Sequence, residues 1–172
     1  MAMNVKKIFD ASVYVNDKSK HGQASEVTCP DVSFVMNEYN ALGMIGQVKL
    51  FNGIEAMEMS VKWQHIDNDA QIALANPLKA VDITIFSSRA GYDNSGHTEE
   101  KKIAMYVRGF STKHQGGSYK PREDSEFEST IAVFYYKLEV DGEEILEIDV
   151  MNNIFTVNGV DMLEERKSNL GI

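Results

Sequence analysis

The sequence predicts a mainly β, α+β protein: a β-sandwich or barrel of antiparallel strands with one flanking short helix and a short C-terminal helix. β-branched and aromatic residues dominate 127–157 on both sides of Asp141-Gly142, the dipeptide that most strongly signals a tight hairpin. Apolar and polar side chains alternate between Ile54 and Trp63, as in a half-buried strand. Helix signals are confined to two short stretches.

Length and charge restrict the class of protein. A chain of 172 residues predicts a single domain spanning 1–172. The net charge of −9 and the pI near 4.9 argue against a sequence-specific nucleic-acid reader, which needs a basic patch. We expect no membrane span, because no apolar run approaches the roughly 20 residues that one requires. The N-terminus lacks the apolar core of a signal peptide, so we expect a protein that stays in the cytosol or leaves by lysis.

The hairpin around Asp141-Gly142 has a predicted register. A plain two-residue turn would place Leu138 beside Ile145 and mix acids into the apolar face, so we predict a three-residue turn with a bulge. Strand alternation then assigns these residues to the apolar face: Ala132, Phe134, Tyr136, Leu138, Val140, Leu146, Ile148 and Val150. The opposite, wet face carries Tyr135, Lys137, Glu139, Glu147 and Asp149.

Both strands of this hairpin exceed the usual length of about 5–6 residues. A ribbon of this length either curls into a barrel or pairs beyond its own subunit. The residues alone leave these two possibilities open.

Shorter elements precede and follow the hairpin. Asp67 or Asn68 is expected to cap a helix that Pro77 ends, and Asp161 with Glu164 forms a capping box for a last helix that stops at Gly171. Strands are predicted at Ala11–Asp17, Val32–Tyr39, Val81–Ser87 and Lys101–Phe110.

Two connecting segments are candidates for interaction. Within 39–47, Gly43 and Gly46 flank Met44 and Ile45, and this glycine-bounded apolar loop is either tucked into the core or an arm that docks on a neighbour. The polar, glycine-rich segment 111–124 is predicted to be a surface loop.

We expect no enzyme, no cofactor and no metal site. The four histidines have no second His or Cys at ligand spacing, and no phosphate loop, dinucleotide fingerprint or G-x-S-x-G elbow occurs. Glu143 and Glu144, close to Glu147 and Asp149, offer carboxylates for acid/base work. A solvated strand face explains them better.

An ordered set of segments carries a family resemblance. The run Y-Y-K-L-E-V-D-G-E-E-I-L-E-I-D-V-M-N-N-I-F-T-V-N-G-V-D and the ending E-E-R-K-S-N-L-G-I resemble the major tail tube proteins of contractile-tailed phages (myophages) and R-type pyocins. The match extends upstream to Gly43, Met44, Gly46, Arg108, Gly109, Lys120, Pro121, Glu123 and Asp124.

This resemblance implies a structural protein that forms hexameric rings, stacked into a hollow tube inside a contractile sheath. Long strands from all subunits would join in one inter-subunit barrel around a conduit for DNA or ions. The implied partners are further copies, the tail sheath protein, a baseplate or tube initiator and a tape-measure protein. The implied location is the virion tail or bacteriocin particle, assembled in the host cytoplasm and released by lysis.

The same resemblance implies roles for two groups of residues. Glu139, Glu147 and Asp149 are expected to face the lumen, where carboxylates repel phosphates and let DNA slide. Gly43, Met44, Ile45 and Gly46 are expected at an inter-subunit or inter-ring contact. Two alternatives stay open: the tube of a secretion-type contractile injection system, and a monomeric ligand-binding β-barrel with an apolar interior.

Overall fold

A computed structural model describes residues 5–114, 116–122 and 125–171. Glu123 and Asp124, which belong to the family resemblance, lie outside the described residues. The strands are β1 (Val5–Val15), β2 (Lys18–Ser19), β3 (Ala24–Thr28), β4 (Phe34–Tyr39), β5 (Val48–Ile54), β6 (Met57–Trp63), β7 (Val81–Asp93), β8 (Gly96–His114), β9 (Phe127–Val140), β10 (Glu143–Asp149), β11 (Ile154–Val157) and β12 (Val160–Asp161). The helices are α1 (Asn68–Ala75) and α2 (Glu164–Leu170).

Ten of these strands form one antiparallel sheet. Its main order is β12-β11-β10-β9-β8-β7-β1-β2, and β6 joins β9 with β3 on its outer side. β9 is therefore shared: β8 pairs with most of one edge, while β6 and then β10 pair with successive halves of the other. This confirms the predicted antiparallel β class. The described residues form no closed barrel within the subunit.

The sheet curls around one apolar core. Strands from separate parts of the sheet contribute to the same buried cluster, which requires the sheet to bend. α1 packs against this cluster through Ala70 and Leu74, both almost fully buried. The largest buried side chains are Trp63, Met59, Leu74, Ile83, Ile85, Ile131 and Ile148. Burial of apolar side chains at about 25 cal/mol per Å² is the main stabilising term for such a domain.

A β-bulge in β9 corrects one predicted sheet face. Arg108 pairs with Tyr135 but Gly109 pairs with Val133, so Phe134 is the extra residue. A bulge changes which side chains face the core. The buried residues are accordingly Ile131 and Val133 before it, and Tyr136 after it. Ala132 and Phe134, predicted on the same face as Tyr136, are not part of the core cluster.

Gly109 lies where this bulge brings two strands together. A Cβ atom at this position would lie 2.3 Å from the carbonyl oxygen of Ala132 and 2.6 Å from Cγ2 of Ile131. Real Cβ contacts are not that short, so only glycine permits this approach of β8 to β9.

The central hairpin reaches the predicted register by a different route. Asp141 and Gly142 both have positive φ, 58° and 81°, and form a two-residue turn that leaves Val140 paired with Glu143. The bulge comes after the turn: Glu144 pairs with Glu139, Ile145 is skipped, and Leu146 pairs with Leu138. The predicted bulge is confirmed, whereas the predicted three-residue turn is wrong.

Other elements are longer than predicted. β7 and β8 extend to Asp93 and from Gly96, so the polar stretch between them is mostly strand. β8 also continues to His114, four residues into the segment 111–124. The strand pattern there is polar because these parts project beyond the core, where no buried face imposes apolar alternation.

The helix termini follow capping rules in part. Asp67 is the N-cap of α1, and its Oδ1 accepts a hydrogen bond from Ala70 N at 2.9 Å, as predicted. Gly171 ends α2 in the left-handed conformation, also as predicted. The predicted capping box is wrong, because Leu163 occupies the N-cap of α2 and Asp161 accepts from Leu163 N at 2.8 Å.

β4 and β5 form an arm outside the main sheet. Within the described residues they pair only with each other. At the base of the arm, the rings of Phe34 and Phe51 each lie 6.1 Å from the ring of Phe155 in β11. The arm exposes these apolar side chains: Phe34, Met36, Tyr39, Leu42, Met44, Ile45, Val48, Leu50 and Phe51.

The ion pair between Asp67 and Lys20 yields a stability prediction. Lys20 Nζ lies 2.6 Å from Asp67 Oδ2, and the lysine side chain is only 2% exposed. We expect Asp67→Asn to retain the helix cap but to lower the free energy of unfolding by roughly 1–3 kcal/mol, since a buried ammonium loses its counter-charge. Urea unfolding at pH 7 measures this loss.

The same ion pair has a defined pH window. Hydrogen bonds from Lys20 and from the Ala70 backbone lower the pKa of Asp67 to about 2. Its contribution is therefore complete above the ordinary aspartate pKa near 3.8 and is lost as the pH falls through about 2. Asp69→Asn, which removes the exposed partner of Lys18, is the matched control and should change stability little. Equal losses in both variants would contradict the assignment.

Candidate functional site

The outer face of β9 and β10 gathers most of the predicted site acids. Lys137 and Glu139 of β9 face Glu147 and Glu144 of β10 in the hairpin register. The bulge at Ile145 is what places Glu144 on the same face as Glu147, three residues further on. The face predicted to be wet and acidic therefore exists, with one more carboxylate than predicted.

Lys137 lies at the centre of these acids. Its Nζ is 3.1 Å from Glu139 Oε1, 3.3 Å from Glu144 Oε2 and 4.0 Å from Glu147 Oε2. All four side chains are between 22% and 25% exposed, so the ion pairs are partly shielded from water. Hydrogen bonding to Glu139, opposed by burial, raises the pKa of Lys137. We call this group the lysine cage.

Neutral donors orient two of the cage carboxylates. Thr156 Oγ1 donates to Glu144 Oε1 at 2.6 Å, and this bond together with Lys137 lowers the pKa of Glu144. Tyr135 Oη donates to Glu147 Oε1 at 2.9 Å. Burial and this acceptor raise the pKa of Tyr135 to about 12, so the phenol stays protonated at neutral pH.

Asp149 has a structural role that the sequence did not predict. The residue is only 8% exposed. Its Oδ1 accepts hydrogen bonds from the backbone N–H groups of Met151 and Asn152, each at 3.0 Å, and its Oδ2 accepts one from Asn152 Nδ2 at 2.7 Å. The carboxylate thus holds the turn between β10 and β11, although it lies on the same side of the sheet as Glu147.

A groove of about 670 Å³ runs over this face, with Asp82 and Arg108 at its side. These two residues form a bidentate ion pair across β7 and β8. Lys137 and Glu139 also line the groove, so its surface is charged and open rather than apolar and sealed. Among the described residues, no group of three or more His, Cys, Asp or Glu side chains is placed to hold a metal ion.

The second predicted site forms the tip of the arm. Leu42 and Ile45 are fully exposed, and Met44 is 40% exposed. Gly43 adopts φ of 87°, which allows the chain to reverse between β4 and β5. Of the two possibilities that the sequence left open for this loop, the structure contradicts a tuck into the core of the subunit.

Sequence reasoning missed Lys137 as the centre of the acid group and Glu144 as a member of it. Counting along an unbroken strand puts Glu144 on the face opposite Glu147. The only sequence signal for this arrangement was the presence of one lysine, Lys137, among the glutamates of the two hairpin strands.

Both helices of the described chain are short, and neither is long and apolar enough to cross a membrane.

Comparison with known proteins identifies close relatives. The family model described as phage tail tube protein FII matches residues 5–171. The tail tube protein of Escherichia phage P2 is 31% identical over 165 residues, covering 94% of each chain. The major tail tube protein of Serratia phage KSP20 is 26% identical over 167 residues, covering 94% of this chain and 92% of the relative.

Solved structures show the same fold. The PVC sheath/tube terminator of an extracellular contractile injection system, in the extended state, aligns with a TM-score of 0.57 and 18% identity over 76% of this chain and 94% of its own. The PVC sheath-tube complex in the extended state aligns with a TM-score of 0.55 and 17% identity over 75% and 87%. The resemblance to tail tube proteins is thereby confirmed.

Removing the central cation tests the lysine cage. We expect Lys137→Met to lower the free energy of unfolding at pH 7 by roughly 1–3 kcal/mol, because three partly buried carboxylates lose their counter-charge. The pKa of Glu144 should rise towards its ordinary value. Stability curves should therefore converge with those of the unmodified protein as the pH falls below 4.5, the ordinary glutamate pKa, and Glu144 becomes protonated.

Lys113→Met is the matched control for this variant. Lys113 pairs with Glu128 on the same sheet, but its side chain is 52% exposed. We expect little loss of stability and little pH dependence. A loss in Lys137→Met that does not shrink at acidic pH would contradict the electrostatic account.

Proposed function

The chain belongs to the phage tail tube protein FII family, and from this membership we propose that its copies form hexameric rings that stack into the inner tube of a contractile tail. It is a structural tail tube protein, not an enzyme. The observation that carries the proposed assembly is the apolar arm, whose two strands pair with no other strand of the described subunit and leave apolar side chains exposed up to the tip.

A two-stranded ribbon is marginal in water on its own. The arm exposes apolar side chains on both strands and at its tip, and a patch of this kind marks a protein contact. Gly43, Met44, Ile45 and Gly46 accordingly form the proposed contact with a neighbouring subunit or ring. Met44 and Ile45 are the apolar anchors of that contact.

The long strands support closure of a barrel between subunits. β1, β7, β8 and β9 contain 11, 13, 19 and 14 residues. If four strands from each of six copies join, about 24 strands at ~4.8 Å spacing and ~40° tilt close a circle about 48 Å in diameter. Allowing for side chains, the bore is wide enough for duplex DNA.

The lysine cage suits the lining of such a bore. Glu139 and Glu147 are proposed to face the lumen. Asp149 is proposed to contribute its negative charge to the same lining, while its hydrogen bonds hold the turn between β10 and β11. Because the cage carboxylates surround Lys137, no bare cation is presented to phosphates. DNA or ions then pass without being held.

The remaining partners and the location follow from the proposed tube. We assign the tail sheath protein as the outer partner, a baseplate or tube initiator at one end and a tape-measure protein as the length gauge. The tube belongs to the virion tail, assembled in the host cytoplasm and released by lysis.

Two other functions have less support. The fold likeness to the PVC assemblies favours, as second candidate, the tube of a contractile injection system. The ligand-binding β-barrel requires a sealed apolar cavity, and the groove that accompanies the lysine cage is open and charged.

Substitution at the tip of the arm tests the assembly. We expect Met44→Asp combined with Ile45→Asp to leave a folded monomer that stacks poorly, because two carboxylates replace the apolar anchors of the contact. Negative-stain electron microscopy across a concentration series measures rings and tubes, and circular dichroism measures folding.

Leu78→Asp is the matched control, because Leu78 is 90% exposed but lies outside the arm. It should assemble normally. Tubes of normal length and abundance from the double variant would contradict the proposed contact.

Substitution within the lysine cage tests the lumen. We expect tubes of Glu139→Gln plus Glu147→Gln to retain duplex DNA, because Lys137 then keeps only Glu144 as a counter-charge and the lining becomes less acidic. Co-sedimentation of labelled DNA with tubes measures retention, which should fall as salt is raised.

Adding Lys137→Met to that variant should abolish the retention. Asp31→Asn plus Glu55→Gln makes the same change in charge at exposed acids elsewhere and should leave DNA unbound. Failure of the cage variant to retain DNA would remove the cage from the proposed lumen.

A further inference from the structure

We propose that each copy inserts a projecting ribbon, the tongue, against an acidic edge of the next copy around the ring. This inference rests on the proposed ring assembly. The tongue consists of residues 5–10 of β1, 88–93 of β7 and 96–102 of β8. The acidic edge consists of residues 143–145 at the start of β10 and 156–170 from the end of β11 through α2.

The tongue has backbone edges without partners. Within the described residues, no strand pairs with the outer edge of β1 before Tyr14, and β9 pairs with β8 only from Ile103 onward. Free N–H and C=O groups of this kind are a template for another chain. Val5, Ile8 and Phe9 are each 43–57% exposed, so the tongue also offers apolar contact surface.

Within the described residues, four cations of the tongue have no carboxylate partner, although the tongue also holds Asp10, Asp93, Glu99 and Glu100 and the whole chain has a net charge of −9. Among the described residues, Lys101 is bound by Glu99 and Asp141. The remaining tongue cations make no ion pair there: Lys6, Lys7, Arg89 and Lys102.

The acidic edge has the complementary character. Glu143, Glu164 and Glu165 are exposed and make no ion pair within the described residues. α2 buries none of its residues in the subunit, which leaves a helix without a packing partner. Exposed apolar side chains accompany these acids: Ile145, Val157, Val160 and Met162, at 39–58%.

The positions of the two surfaces in the sheet determine the kind of contact. They lie towards opposite ends of the strand order, which begins at β12 and approaches its other end at β1. A contact between two different surfaces repeats head to tail, as a closed ring requires.

Charge reversal on each surface, and on both together, tests the contact. The tongue variant is Lys6→Glu plus Arg89→Glu, and the edge variant is Glu164→Lys plus Glu165→Lys. We expect each alone to need at least about tenfold more protein to assemble, because like charges then face each other. The chain carrying all four substitutions should assemble near the concentration that the unmodified chain needs.

Mixing the two variants provides an independent arm. In an equimolar mixture, the reversed tongue of one variant can face the reversed edge of the other. The unmodified tongue of the edge variant can likewise face the unmodified edge of the tongue variant. Rings of alternating composition should form, as negative-stain microscopy and light scattering would show. Lys79→Glu is the control, since it reverses an exposed charge outside both surfaces and should assemble normally.

The outcomes separate this contact from the proposed function. If the unmodified chain never forms rings or tubes, the proposed function fails. If it forms tubes and both charge variants do so equally well, the tongue contact alone is overturned. Circular dichroism establishes whether the two charge variants and the fourfold variant fold. If all three fold but neither the fourfold variant nor the mixture regains assembly, the tongue contact is overturned as well.

Discussion

The sharing of β9 between three partners is the constraint on which the rest of the subunit depends. β8 takes one of its edges, while β6 and β10 take successive halves of the other. The bulge at Phe134 accommodates this change of partner, and Gly109 allows the strands to approach at that point. Because the bulge shifts the alternation of β9 by one residue, Ile131 and Val133 before it and Tyr136 after it all face the core. Lys137 and Glu139 then lie on the charged outer face.

The outer face is acidic without presenting bare cations in its central part. Arg108 is paired with Asp82, and Lys137 is surrounded by three carboxylates. Hydrogen bonds from Thr156 and Tyr135 hold two of those carboxylates in place. An acidic surface whose cation is compensated is what the proposed lining of a conduit requires, because it disfavours binding of a polyanion.

The subunit body is well packed, yet two ribbons project from it without covering. The arm exposes apolar side chains, and the tongue exposes strand edges and unpaired cations. The arm touches the core only at its base, through Ile54 and the rings of Phe34 and Phe51, so subunit stability and the proposed assembly contacts reside in largely separate residues. For this reason we expect substitutions at the arm tip or the tongue to leave the monomer folded.

The amino-acid sequence alone predicts the β class, the central hairpin, a helix cap at Asp67 or Asn68 and the tail tube family, because these depend on local patterns of polarity, turn residues and motif order. It also predicts that Glu139 and Glu147 share a wet face. The tertiary structure decided the rest: the bulge at Phe134, the position of Glu144 in the lysine cage and the exposure of the arm tip. Each of these depends on which strand pairs with which, and that pairing is set by contacts between residues far apart in the chain.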